Sequence, residues 1–251
     1  MLNLDGRIAI VTGGTRDIGR SCALKLAASN AKTVVNYCNN KSAGEEVVNE
    51  ITKAGGTALL VGGDMSKKDD VDRLVGETVE AFGNQIDILV NNVGGLVERK
   101  TLLEADEDFL NHVMALNLNS TFLTTQAVVP HMLNGGAIVN LASLAGRDGG
   151  GGGAFAYAAS KGAVMTFTRS MAKELGPQGI RVNALNPGMI DTKFHDKFTP
   201  DAARRNVEAT VPLRRQGHPD DCGDTVLYLA SDAAAYITGA CVDINGGMAF
   251  S

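Results

Sequence analysis

Basic residues, cysteine and long apolar runs are all scarce in this chain, and each shortage closes off a class of function. Lys and Arg together number 23 against 28 Asp and Glu, a formal net charge of −5. No general basic field is therefore available to hold nucleic acid or an anionic membrane as a main partner. The four cysteines, Cys22, Cys38, Cys222 and Cys241, are scattered. They lack paired metal-ligand spacing and the density of a disulfide framework, so they read as packing residues of a reduced, cytoplasmic protein with no metal centre. No apolar run reaches the roughly 18 residues needed to cross a bilayer. The segment Met1-Leu2-Asn3-Leu4-Asp5-Gly6-Arg7 has neither the basic start nor the hydrophobic stretch of a secretory signal.

What is there is the material of one globular core: 251 residues, 44% of them hydrophobic, a length at which α/β folds are commonly a single domain. Apolar runs that read as buried strands occur at 8–12, 33–36, 58–61, 86–90, 137–141, 181–185 and 241–244, separated by helical or loop material. This alternation predicts an α/β fold, a doubly wound parallel sheet of the Rossmann type with helices on both faces and right-handed crossovers. Residues 1–251 are expected to form one domain. The run Gly149-Gly150-Gly151-Gly152-Gly153 reads as a flexible connector rather than a phosphate loop, because no helix-opening Lys-Ser/Thr follows it.

Three places carry chemistry. The first strand runs into Gly13-Gly14-Thr15-Arg16-Asp17-Ile18-Gly19 and then a helix from Arg20 to Ala27. Strand, glycine turn and helix in that order make a phosphate cradle of backbone N–H groups at a helix N-terminus. Ser143 follows the apolar run 136–141, at the carboxyl end of a strand, where open α/β sheets place their ligands. Tyr157 and Lys161 stand four residues apart. On a helix they share a face, so the ammonium can favour the ionised phenol and bring its pKa down from about 10 towards neutrality, where it can give and take a proton.

These motifs, with Asn91-Asn92-Val93-Gly94, Asn117, Asn186-Pro187-Gly188-Met189-Ile190-Asp191-Thr192 and the terminal Ile237-Thr238-Gly239 to Asn245-Gly246-Gly247, resemble the classical short-chain dehydrogenases/reductases along nearly the whole chain. The likeness is greatest to the 3-oxoacyl-carrier-protein reductase and gluconate or glucose dehydrogenase-like branch. The resemblance implies hydride transfer between nicotinamide and the carbonyl or secondary alcohol of a small oxo compound: a 3-oxoacyl thioester, a keto-sugar or a sugar-derived keto acid. It assigns the proton to Tyr157, ribose binding and phenol activation to Lys161, the alkoxide hydrogen bond to Ser143 and a relay water to Asn117. For the cofactor it implies Gly13, Thr15, Arg16, Asp17, Ile18 and Gly19 in the turn, Asn91 near the adenosine ribose, and Asp64 with Met65 near the adenine. Val93 and Gly94 would back the nicotinamide, and Pro187, Gly188, Ile190 and Thr192 would face its carboxamide. Asp17 replaces the glycine or alanine usual in the family's turn, and either points aside or bonds a ribose hydroxyl.

No carboxylate follows the second strand, where Asn36, Tyr37, Cys38, Asn39, Asn40 and Lys41 stand. A site selecting NAD places an acid about 20 residues past the turn, so NADP(H) is expected, with Arg16 and Asn39 at the 2′-phosphate and NAD(H) remaining open. Residues 189–212 are expected to form a substrate lid. Arg99, Lys100, Arg147, Lys193 and His195 either receive an anionic substrate there or are simply solvated. Similar enzymes assemble across two-fold axes through the last strand and the helix around 224–229, which implies a homotetramer. The alternative is a non-catalytic nucleotide-binding scaffold on the same fold.

Overall fold

The computed structural model describes residues 2–250; the expected domain also takes in Met1 and Ser251, which lie outside the described residues. Seven strands, β1 (Ile8–Val11), β2 (Lys32–Tyr37), β3 (Ala58–Gly62), β4 (Ile88–Asn91), β5 (Gly136–Leu141), β6 (Ile180–Pro187) and β7 (Cys241–Ile244), form one sheet in the order β3-β2-β1-β4-β5-β6-β7. Every pairing is parallel. Among the described residues the α-helices are α1 (Asp17–Ala28), α2 (Lys41–Lys53), α3 (Lys68–Phe82), α4 (Glu107–Met114), α5 (Ser120–Val128), α6 (Ala145–Asp148), α7 (Phe155–Leu175), α8 (Lys193–Phe198), α9 (Asp201–Thr210) and α10 (Pro219–Ala230).

The strands are apolar on both sides because both sides are covered. Successive side chains point to opposite faces. Ala9 and Val11 accordingly join Cys22 and Leu26 of α1, Val47 of α2 and Val226 of α10. Ile10 between them packs with Leu74 of α3, Val128 of α5 and Leu175 of α7. Strand order reverses between β1 and β4, which opens a crevice at their carboxyl ends, the place where such sheets bind ligands.

The strand boundaries differ from expectation in two informative places. β4 starts at Ile88; ahead of it Ile86 gives its N–H to the His131 carbonyl rather than to a strand, and the Asp87 carboxylate accepts the N–H of Ile8 at 2.8 Å. β6 extends to Pro187 because its end still pairs with β7, Asn186 opposite Asp243 and Pro187 opposite Ile244. Helix α1 begins at Asp17, so Asp17, Ile18 and Gly19 are its first turn. Among the described residues no helix is long and apolar enough to cross a membrane.

Candidate active site

A cleft of about 1340 Å³ runs along the carboxyl ends of the strands. That exceeds the roughly 300–1,000 Å³ of a pocket for one small ligand, so it has room for a dinucleotide and a substrate together. Gly13, Thr15, Arg16, Asp17, Ile18, Gly19, Asn39, Val93, Gly94, Ser143, Tyr157, Lys161, Pro187, Gly188, Ile190 and Thr192 all line it.

The cradle fits an anionic cofactor on its own geometry. No side chain caps the start of α1, which leaves the N–H groups of its first turn free and its positive dipole end facing the cleft. A Cβ on Gly19 would collide with the carbonyl oxygen of Gly13, so only glycine closes the turn. Buried Asn36 holds the turn from behind, accepting the Gly13 N–H at 3.1 Å and donating to the carbonyls of Val61 and Gly63. Asn92 holds it from the side, donating to the carbonyls of Thr12 and Gly13 at 3.1 and 3.0 Å. The tie made by Asn36 across two strands carries no local sequence signal.

Four of the expected residues lie outside this cleft. The Asn91 side chain is buried away from the cleft, donating to Thr125 and Asn140 and accepting from Thr124; strand alternation sends it to the opposite face from Asn92. Met65 is likewise in the core, against Val34, Val61 and Leu74. Asp64 lies in a separate shallow depression beyond Tyr37, Cys38 and Asn39, where its carboxylate caps Ser66. Asn117 also stays outside the cleft. It sits in a five-residue π-helical turn, Ala115–Asn119, between α4 and α5, and its amide clamps Gly95 through both N–H and C=O while donating to Val113.

Tyr157 and Lys161 share the inner face of α7, and the ammonium stands 5.8 Å from the phenol ring centroid. Ser143 lines the cleft beside Tyr157 and counts among the groups that act on the phenol; its Oγ accepts the Ala145 N–H at 3.2 Å. The phenol pKa is raised, not depressed: burial pushes it up and Ser143 offsets only part of this. Burial also brings the Lys161 ammonium down to about 8, and its Nζ donates to the Leu141 carbonyl at 2.6 Å. Desolvation, invisible in residue spacing, outweighs the charge pairing that the spacing suggested.

Between β6 and α10 the two short helices α8 and α9 cover the cleft beside Tyr157. Arg204 of α9 fastens them, donating to Asp196, to Gln216 and to Asp191. Phe194 packs against Tyr157, ring centroids 5.7 Å apart, and against Phe198 at 5.2 Å. The glycine run is not a loose connector. Asp148 accepts from Gly150, Ala154 donates to Gly151, and Lys100 donates to Gly153. Met248, which no local pattern marks, also lines the cleft.

A family model described as enoyl-(acyl carrier protein) reductase matches residues 13–249. The chain belongs to the short-chain dehydrogenase/reductase family. It is similar to a 3-oxoacyl-[acyl-carrier-protein] reductase of Synechocystis, 41% identical over 99% of both chains. An uncharacterized oxidoreductase of Escherichia coli is 37% identical over 96% of this chain and 99% of its own. Among solved structures, a dehydrogenase/reductase from Sinorhizobium meliloti superposes with a TM-score of 0.92 at 34% identity, covering 98% of this chain and 96% of that one. A double variant of a Serratia marcescens short-chain dehydrogenase/reductase gives 0.91 at 34% identity, covering 97% and 98%. This short-chain dehydrogenase/reductase is an NAD(P)(H)-dependent oxidoreductase acting on a carbonyl or its alcohol. The scaffold alternative finds no support in these relatives.

Proposed function

We propose that Tyr157 is the proton donor and acceptor of an NADP(H)-dependent carbonyl reductase, with Ser143 holding the substrate oxygen. The observation that carries this is the convergence of Ser143, Tyr157 and Lys161 in one cleft, with the buried Lys161 ammonium 5.8 Å from the phenol ring centroid. Bound in the cradle, the nicotinamide cofactor supplies hydride to the carbonyl carbon, or takes it back from the alcohol. Tyr157 gives its hydroxyl proton to the carbonyl oxygen as the new C–H bond forms, and the Ser143 hydroxyl donates to that oxygen as charge gathers on it. Lys161 then stabilises the phenolate and restores its proton, and Asn117 positions Lys161 by fixing Gly94-Gly95 against it.

NADP(H) is favoured over NAD(H) because Tyr37, Cys38, Asn39 and Asn40, the residues at and just past the end of β2 that line the cleft, include no acid, and Arg16 lines it too; the acids there are Asp17, in the turn, and Glu46, on α2. Residues 189–212 serve as the lid of a single domain. A homotetramer in the cytoplasm fits the free edge of β7 and the exposed ring of Tyr228 on α10; a monomer by light scattering at micromolar concentration would contradict the assembly. The activity itself is tested by loss of NADPH absorbance with a panel of ketones, keto acids and acyl thioesters. Reduction of at least one class is expected, and no turnover on any of them would remove the reading.

A further inference from the structure

The substrate end of the cleft contains cationic side chains, yet almost all are already engaged. Arg99 donates to the carbonyls of Gly152, in the glycine run, and of Phe198, at the end of α8, at 2.7 and 3.1 Å. Arg204 is held by Asp191 and Asp196. Arg147 pairs with Asp243 at 3.2 Å and donates to the Cys241 carbonyl, and Lys100 lies over the Phe109 ring at 4.9 Å; neither lines the cleft. His195 is brought down to about 4 by burial and by the positive charges of Arg204 and Arg99, so it is neutral at working pH and bonds Thr199. Lys193 is in no ion pair among the described residues, but it is exposed and adjoins Thr192 on the cofactor side. Lys161 is engaged with the Leu141 carbonyl, and the Asp148 carboxylate, which also lines the cleft, would repel an anion.

What remains facing Tyr157 is apolar. Phe194 and Phe198 meet at 60° and Phe194 meets Tyr157 at 39°, a tilted series that one more ring can extend by offset or edge contact. Leu96, Leu116, Leu144, Met189 and Val207 complete the wall. Arg99 meanwhile ties the glycine run to the end of α8 through the Gly152 and Phe198 carbonyls, so its guanidinium is not free for a substrate anion.

We propose that this aromatic wall of the cleft is a subsite for the aryl group of a compact, uncharged aryl ketone, or of the matching alcohol. The inference rests on the carbonyl-reductase reading above and replaces the expected anionic substrate and the polar keto-sugar. In the proposed reaction, hydride from the reduced nicotinamide forms the C–H bond, Tyr157 supplies the proton to oxygen, and the cofactor leaves oxidised.

The test compares kcat/KM for phenyl methyl ketone, cyclohexyl methyl ketone, 4-carboxyphenyl methyl ketone and an acetoacetyl thioester at saturating NADPH. Wild type and the shape-conserving Phe194→Leu and Phe198→Leu variants are measured, with NADPH affinity followed by fluorescence. Dividing the phenyl-to-cyclohexyl ratio of wild type by that of each variant cancels the intrinsic reactivity of the ketones. The expected quotient is about two- to tenfold, the value of one lost aromatic contact, with NADPH affinity unchanged and the carboxylate analogue poorer than its parent. A quotient near one in both variants, or preference for the carboxylate or the thioester, overturns the inference while leaving the reductase reading intact. No turnover of any of the four removes that reading, and this inference with it.

Discussion

Lys161 donates from Nζ to the carbonyl oxygen of Leu141 at 2.6 Å, so the ammonium of the Tyr157 pair is anchored to the end of β5. It is also one of the few charged groups in the chain that is almost fully buried. Its pKa falls from 10.5 to about 8 because burial penalises the charged form. In the unfolded chain the lysine stays protonated up to about pH 10.4. Between those values the unfolded state binds a proton that the folded state lacks, so this group adds stability as pH rises from about 8 towards 10, and contributes no slope below 8. Urea midpoints of cofactor-free wild type and Lys161→Met, measured at several pH values, should diverge in favour of wild type over that interval; parallel curves would contradict the shift.

Gly94 sets the spacing of the same group. A Cβ there would stand 2.6 Å from Oδ1 of Asn117 and 2.8 Å from Nζ of Lys161. Gly94→Ala should cost about 1–3 kcal/mol of stability, as overpacking does, and should lower turnover by displacing the ammonium. Thermal unfolding and kcat together check this, and a fully active variant of unchanged Tm would refute it.

Asp17 reaches from the cofactor turn to the lid. It holds a left-handed φ of 49°, Arg16 lies 3.6 Å from its carboxylate, and its Oδ1 accepts the N–H of Lys193 at 3.4 Å. Asp17→Gly should release that N–H and speed tryptic cleavage after Lys193 and Lys197. It should also tighten NADPH, because a negative charge leaves the phosphate cradle. Asp17→Asn keeps an acceptor and tolerates the backbone, so it should tighten NADPH without opening the lid; cleavage as fast as in the glycine variant would contradict the tie.

Arg16 carries the expected preference for the 2′-phosphorylated cofactor. Arg16→Ala should weaken NADPH by at least tenfold more than NADH, since only the former offers a phosphate to the guanidinium. Equal weakening of both, or a wild-type preference for NADH, would overturn the assignment.

Much of this was legible in the residues, for identifiable reasons. Buried parallel strands must be apolar on both faces, so runs such as Ile8-Ala9-Ile10-Val11 announce themselves, and the four-residue interval of Tyr157 and Lys161 needs only a helix to become a shared face. What was not legible depends on contacts between distant segments. Whether Asn91 or Asn92 faces the cleft is decided by strand phase, one residue either way. The raised phenol pKa of Tyr157 comes from burial, which spacing cannot express. The engagement of Arg99 by Gly152 and Phe198, and the arrival of Met248 at the cleft, join parts of the chain that no local pattern connects. The glycine run looked loose because glycine allows many conformations, yet its neighbours Asp148, Lys100 and Arg99 tie it down.

The proton role of Tyr157 is tested most directly by Tyr157→Phe, which removes one oxygen and keeps the ring that packs against Phe194. NADPH affinity should stay close to that of wild type, while kcat on every substrate that wild type reduces should fall by about 10²–10⁴, the range for a lost general acid. Near-normal turnover by the phenylalanine variant, with cofactor bound, would contradict the mechanism.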